Sequence, residues 1–130
     1  MNKLDELKNF FERDRFVKTN GIEIVSANSE KAVCKSYVVD NHLNANDAVQ
    51  GGMLYTIADF AFAVLSNNLH PITVTQSANI SYIKACKNTA YITAEAREIS
   101  RTAHNSVVEV LVKDEREDIV AISLFNGFTR

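Results

Sequence analysis

The spacing of apolar residues divides the chain into two helices and six strands. Residues 3–16 place leucines and phenylalanines at helical spacing between charges, which predicts an amphipathic surface helix. Residues 51–68 are apolar on nearly every face, which predicts a second helix that must be covered all round. Alternation of apolar and polar residues predicts strands, at 22–27, 31–39, 72–84, 89–100, 106–113 and 119–128.

The connections between these strands are short and polar. Asn28 and Ser29 favour a hairpin turn, and the charged segment 114–118 joins the last two strands. Strands connected in this way form an antiparallel sheet, and a helix that is apolar all round needs that sheet as its cover. The predicted fold class is therefore α+β: a long curled antiparallel sheet wrapped around one central helix, plus an N-terminal helix. We expect a single domain over residues 1–130.

Two further expectations concern the strands. Within 72–84, strict alternation places Val74, Ile80 and Tyr82 on one face and Thr75 on the other. Long strands also leave long sheet edges, and little proline or lysine is present to protect them. The sequence therefore predicts a dimer with a sheet running through it.

Composition narrows the possible functions. The 130 residues are 46% hydrophobic and 23% charged, with a net charge of -2, which is ordinary for a globular domain and gives no sign of a nucleic-acid partner. The N-terminus lacks the apolar core of a signal peptide, and no segment is long enough to span a membrane, so we expect a cytoplasmic protein. Cys34 and Cys86 are expected to be free core thiols. The three histidines are too widely separated for a metal site: His42, His70 and His104.

Asp59 is the one charge within the apolar segment 53–65. An ionised carboxylate there loses hydration, so its pKa should lie above the usual value. A nearby hydroxyl, such as Thr56 one turn earlier, would satisfy it as a local packing feature. Alternatively, Asp59 acts as a general base or nucleophile. The residues alone leave both interpretations open.

Gly51 and Gly52 are two of only four glycines and stand together at the start of the same helix. They fit either a plain tight turn or a backbone N–H that donates to a ligand oxygen. Gly51 and Asp59 lie about 12 Å apart along a helix axis, whereas a reacting carbonyl needs both groups within about 3 Å. One chain cannot bring them together, but two antiparallel copies of the helix can. This spacing predicts two sites at a two-fold interface.

The segment 42–64, HLNANDAVQGGMLYTIADFAFAV, resembles the signature of acyl-CoA thioesterases of the phenylacetate-pathway (PaaI-like) type, which have the hotdog fold. The resemblance rests on the spacing of Asn44, the glycine pair and Asp59, and extends weakly over residues 79–114. It implies hydrolysis of a short, medium or aromatic acyl-CoA to free acid and CoA. It also implies a homodimer that commonly pairs into a tetramer, and no cofactor beyond the CoA of the substrate.

The resemblance assigns roles to four catalytic residues. The N–H of Gly51 would polarise the thioester carbonyl, and Asp59 of the partner subunit would attack it or activate a water. Asn44 and Thr75 would position the reactants. Any of four cations is a candidate for the CoA phosphates, although each also fits a solvated surface: Lys84, Lys87, Arg97 and Arg101.

Gln50 and Gly52 are expected to contact the substrate, and two positions depart from the family pattern. Gln50 stands where histidine is common, and Asp47 stands where glycine is usual. Glutamine can hold a carbonyl by a hydrogen bond but cannot titrate near neutral pH. These departures favour an alternative, a hotdog module that binds an acyl-CoA or acyl-carrier ligand without hydrolysis. A dehydratase of the same fold is a weaker alternative.

Overall fold

The computed structural model describes residues 2–130 and contains one six-stranded antiparallel sheet curled around a long helix. The strand order is β1-β2-β4-β5-β6-β3, and the long helix contacts all six strands. This arrangement confirms the predicted fold class. The elements are α1 (Lys3–Phe11), α2 (Arg15–Thr19), β1 (Ile22–Ala27), β2 (Ala32–Tyr37), a 3₁₀ turn (Asp40–His42), α3 (Gly51–Leu69), β3 (Thr73–Tyr82), β4 (Tyr91–Arg101), β5 (Asn105–Asp114) and β6 (Ile119–Thr129).

The central helix α3 is held by aromatic packing against the sheet. Phe62 is fully buried and stacks on Phe125 of β6, with ring centroids 5.3 Å apart. Gly127 of β6 makes this close approach possible, because a Cβ there would lie 2.5 Å from the Phe62 ring. Cys34 and Cys86 are both buried and free, as predicted. Among residues 2–130, no helix has the length and apolar character needed to cross a membrane.

The N-terminal helix is divided, which corrects the prediction of one helix over 3–16. Helix α1 ends at Phe11, and α2 begins after Asp14, whose carboxylate accepts a hydrogen bond from the Val17 N–H at 3.1 Å. An aspartate in this extended conformation caps a new helix rather than continuing the old one. Phe11 packs edge-on against Phe60 of α3 at 5.2 Å, so the α1–α2 junction lies against the middle of α3.

A β-bulge in β3 corrects the predicted faces of that strand. The pairing of β3 with β6 shifts register between Thr75 and Ser77, so the side chains before and after Gln76 no longer follow one alternation. Val74 is 57% exposed and points away from α3. Thr75, placed before the bulge, and Tyr82, placed after it, both contact α3.

Strand β3 lies at the edge of the sheet and pairs with β6 alone among the described strands. Its outer edge is open, and four large apolar side chains at or near its ends are more than half exposed: Ile72, Val74, Tyr82 and Ile83. A long, apolar, open edge of this kind is suited to pairing with another chain.

Candidate functional site

The first turn of α3 combines a capped amide with a free one. Gln50 is the N-cap, and its side-chain Oε1 accepts a hydrogen bond from the Gly52 N–H at 2.6 Å. The Gly51 N–H, one residue earlier, forms no hydrogen bond within residues 2–130. The helix dipole adds partial positive charge at this position. Gly51 therefore presents a donor suited to a ligand oxygen, whereas the Gly52 N–H already has a partner.

Gln50 uses only half of its side-chain amide in this cap. Its oxygen is bound to the Gly52 N–H, so the NH2 group is the part that remains for a substrate. A Cβ at position 52 would lie 3.2 Å from that oxygen, and glycine at 52 therefore leaves room for the cap. This structural role of Gln50 needs no titratable group, so the change from the family's histidine keeps the helix start intact.

The loop before α3 is organised by Asn44. Its side-chain oxygen accepts hydrogen bonds from the N–H groups of Asn46 at 2.9 Å and Ala48 at 3.1 Å. This is the turn-forming role that a loop asparagine commonly has, and only its amide NH2 remains for a reactant. Asp47 has a φ of +59°, the left-handed conformation that glycine adopts most readily. The glycine usual at this position in the family thus has a conformational explanation.

The Asp59 carboxylate accepts its hydrogen bond from a residue of the sheet rather than from one of its own helix. The Thr75 hydroxyl of β3 donates to Asp59 Oδ1 at 2.8 Å, while the Thr56 hydroxyl donates to the Gly52 carbonyl at 2.7 Å. Thr56, which the packing interpretation offered as one possible partner for the carboxylate, is therefore not its partner, because a mid-helix threonine reaches the carbonyl one turn back more easily. Asp59 Oδ2 has no hydrogen bond within the described chain.

The environment of Asp59 favours its protonated form. Burial raises the pKa of Asp59 most; the Thr75 hydrogen bond opposes this, and the nearby Asp14 carboxylate raises the pKa further. The side chain is half-buried, so Oδ2 can still be reached by a small reactant. A carboxylate with a raised pKa and one free oxygen is a stronger base than an ordinary surface aspartate.

A cleft of about 440 Å³ opens beside the first turn of α3. Asn44, Gly51 and Tyr82 line it together with two of the four candidate cations, Lys84 and Lys87. The Tyr82 hydroxyl donates to the Gly51 carbonyl at 3.1 Å. Sequence reasoning gave Tyr82 no role, because its approach to Gly51 depends on the Gln76 bulge, which no pattern indicated.

The four candidate cations differ in their partners. Lys84 forms ion pairs with Asp118 at 2.9 Å and Asp114 at 3.8 Å. Arg97 pairs with Glu95, and Arg101 donates to the Thr129 hydroxyl; neither lines the cleft. Lys87 lines the cleft and forms no side-chain ion pair with any residue from 2 to 130. Lys87 is therefore the cation best placed to meet a phosphate there.

The histidines have local partners. His42 is buried, accepts from the Val39 N–H through Nδ1 and donates through Nε2 to the Asn20 carbonyl. His70 pairs with Glu98 at 3.1 Å, and His104 contacts the Thr129 carbonyl. Within the described residues, no group of three potential metal ligands comes together.

The predicted site residues thus fall into two groups on one chain. Asn44, Gln50, Gly51 and Gly52 lie together at the start of α3, while Asp59 and Thr75 lie together about 12 Å further along its axis. The cleft beside Gly51 is not lined by Asp59. On one chain, the free Gly51 N–H and the Asp59 carboxylate are therefore not parts of the same cleft.

Comparison with known proteins identifies the family. Residues 46–121 match the model of the Thioesterase superfamily. The chain belongs to this superfamily. It is 27% identical over 117 residues to the acyl-coenzyme A thioesterase PaaI of Escherichia coli, covering 90% of this chain and 82% of that protein.

Solved structures share the fold. The E. coli PaaI protein from the phenylacetic acid degradation operon superposes with a TM-score of 0.91 at 23% identity, covering 98% of this chain and 92% of that one. The protein smu.793 from Streptococcus mutans, solved bound to acetyl CoA, gives a TM-score of 0.79 at 24% identity, with coverage of 85% and 89%. The chain is a PaaI-like hotdog thioesterase, that is, a thioester hydrolase.

Proposed function

We propose that the protein hydrolyses short, medium or aromatic acyl-CoA thioesters at two sites shared between the subunits of a homodimer. The observation that carries this proposal is the pairing, on one helix, of a free Gly51 N–H with an Asp59 carboxylate about 12 Å away. The curated relative from E. coli is named an acyl-CoA thioesterase, and the S. mutans structure holds acetyl CoA. Both support CoA thioesters as the substrate class.

The Gly51 end polarises the substrate. Its N–H donates to the thioester oxygen, where negative charge develops as the carbonyl carbon becomes tetrahedral. The free NH2 of Gln50 supplies a second donor at the same helix start. Asn44 lines the cleft, and its NH2 orients the substrate. Because Gln50 acts here as a neutral donor, this half of the site works without a group that titrates near pH 7.

The partner subunit's Asp59 supplies the base or the nucleophile. As a base, it takes a proton from water while the water oxygen bonds to the carbonyl carbon and the C–S bond breaks. As a nucleophile, its oxygen forms an anhydride that water then hydrolyses. In both routes, the thiolate leaves as CoA and takes up one proton, and the acid is released. Thr75 holds Oδ1 so that Oδ2 faces the reactant.

The cleft beside Gly51 also provides a contact for the CoA part of the substrate. Lys87 is assigned to a CoA phosphate because it lines the cleft without an ion pair.

The dimer forms through the open β3 edge, and dimers pair further into a tetramer. The reaction involves proton transfer and acyl transfer, for which the side chains named above suffice without a metal or redox cofactor. We place the enzyme in the cytoplasm.

Mixed dimers test whether the site is shared. Asp59→Asn and Gly51→Pro homodimers should each be nearly inactive. When equal amounts of the two variants assemble at random, half of the dimers contain one subunit of each. Each such mixed dimer carries one intact site of two. About a quarter of the parental activity should therefore return. No recovery, with subunit exchange verified by mass, would show that each site belongs to one chain.

A panel of acyl-CoA substrates tests the reaction itself. Parental protein should release CoA, detected with a thiol reagent, from at least one short, medium or aromatic acyl-CoA. Binding without CoA release would contradict hydrolysis. A single turnover in ¹⁸O-labelled water then tests the nucleophilic route: label enters the Asp59 side chain when water opens the anhydride at the Asp59 carbonyl carbon, whereas general-base hydrolysis places label in the released acid alone.

A further inference from the structure

Tyr82 is a large aromatic residue that contacts the start of α3. Its hydroxyl donates to the Gly51 carbonyl at 3.1 Å, and it stands at the last position of β3. The residue is 51% exposed in the isolated chain. The residue lines the cleft beside Gly51, so a ring whose hydroxyl is occupied adjoins the space in which a ligand would lie.

The ring of Tyr82 lies directly over Gly51. A Cβ built at position 51 would be 3.2 Å from Cζ, 3.3 Å from Cε1 and 3.4 Å from the hydroxyl oxygen of Tyr82. The absence of a side chain at position 51 therefore leaves room for the Tyr82 ring as well as for an approaching substrate. The ring and the glycine form adjoining parts of one wall of the cleft.

The hydrogen bond also joins two parts of the fold that are distant in sequence. Gly51 begins α3, while Tyr82 ends the edge strand whose bulge turns Thr75 toward Asp59. The orientation of the first helical turn, and with it the direction of the Gly51 N–H, is thereby tied to β3. A donor must be aimed within a few tenths of an ångström to be effective.

We propose that Tyr82 is a positioning and specificity-determining residue for thioester hydrolysis: its hydroxyl fixes the first turn of α3, and its ring is the wall on which the substrate lies beside the carbonyl. This inference rests on the proposed function and goes beyond it. The two parts of the side chain have separable effects. The hydroxyl acts on turnover, and the ring acts on binding.

Two substitutions separate these effects. Tyr82→Phe keeps the ring and removes the hydroxyl, so kcat should fall about three- to tenfold while KM stays within about twofold. Tyr82→Leu removes the aromatic face, so KM should rise about tenfold as well. Tyr37→Phe, on an exposed tyrosine of β2, is the matched control and should leave both constants unchanged.

Binding of a non-hydrolysable acyl-CoA thioether, measured by calorimetry, keeps this test independent of turnover. Tyr82→Leu should weaken binding about tenfold, and Tyr82→Phe should bind as the parent does. Parental kcat in Tyr82→Phe together with parental affinity in Tyr82→Leu would overturn the role of Tyr82 and leave the proposed hydrolysis standing. If the parent binds the thioether but hydrolyses nothing, the positioning role falls with the proposed function, and the binding series still decides the role of the ring.

Discussion

The Gly51 end of α3 and the Asp59 region in its middle differ in the part of the polypeptide that carries the polar group of interest. At Gly51 the donor is a main-chain amide, and the neighbouring amide is capped by Gln50 within the same turn. At Asp59 the proposed reactive group is a side chain, and Thr75 of another element of the fold donates a hydrogen bond to it. The Gly51 end should therefore tolerate side-chain changes that preserve the helix start, whereas the Asp59 region should respond to any change in the chemistry of its side chain.

The largest effect is expected at the acid. Asp59→Asn keeps the shape and removes the base, so kcat/KM for the best acyl-CoA should fall about 10²–10⁴-fold. Stability should change in the opposite sense. Because burial raises the pKa of Asp59 in the fold, its contribution to stability is present at low pH and is lost as pH rises through the folded-state pKa.

The uncharged variant should therefore be at least as stable as the parent at pH 7. Urea unfolding at fixed protein concentration measures this, and CoA release measures the rate. A variant that is inactive and also strongly destabilised would contradict the assignment, because loss of the fold would then explain the loss of activity.

At the amide end, proline and alanine form a matched pair. Gly51 is the first residue of α3, where proline is well tolerated, and Gln50 already has the extended conformation that precedes a proline, with φ −59° and ψ 136°. Gly51→Pro removes the free N–H and should lower kcat about 10²–10³-fold. Gly51→Ala introduces a similar crowding against Tyr82 and keeps the N–H, so it should lose far less. Equal losses in the two variants would show that crowding, not the donor, matters.

Two neighbours of Asp59 should move its titration in opposite directions. The Thr75 hydrogen bond lowers the pKa of Asp59, so Thr75→Val should shift the acidic limb of the pH profile of kcat/KM to higher pH. The Asp14 charge raises the pKa, so Asp14→Asn should shift that limb to lower pH. Asparagine caps helices as well as aspartate does, so Asp14→Asn should preserve α2. Shifts in the same direction would contradict this account of the carboxylate.

The smallest effect is expected in the loop before Gly51. Asp47→Gly should stabilise the fold by about 0.5–1 kcal/mol, because glycine adopts the left-handed conformation at lower cost. Asp47→Ala should destabilise it, since alanine tolerates that conformation less well than aspartate. Thermal unfolding at fixed concentration distinguishes the three proteins. Activity should change little, because the Asp47 side chain has no assigned contact with the substrate.

The parts of this molecule that sequence could predict are those set by local pattern. The apolar segment 51–68 indicated α3 to within one residue of its end, and the distance between Gly51 and Asp59 followed from helical rise alone. The hairpin turn at Asn28 could also be predicted, because it depends on a local contact. The Asn28 side-chain oxygen accepts hydrogen bonds from the N–H groups of Glu30 and Lys31.

The features that escaped prediction depend on contacts between distant segments. Helix α1 ends at Phe11 and Asp14 caps a second helix, within a stretch whose apolar spacing remained helical. The bulge at Gln76 arises from the pairing of β3 with β6, more than 40 positions away, and it alone brings both Thr75 and Tyr82 to α3. Period-two alternation cannot reveal a residue that interrupts it.

The pairing of β3 with β6 sets the order in which the protein matures on the ribosome. Residues 73–82 leave the exit tunnel well before residues 119–129, the one strand among the described residues that pairs with them. Until that strand emerges, Thr75 and Tyr82 lack the ladder that orients them. Thr75 and Tyr82 therefore reach their native places on α3 only after β6 has been synthesised and has paired with β3.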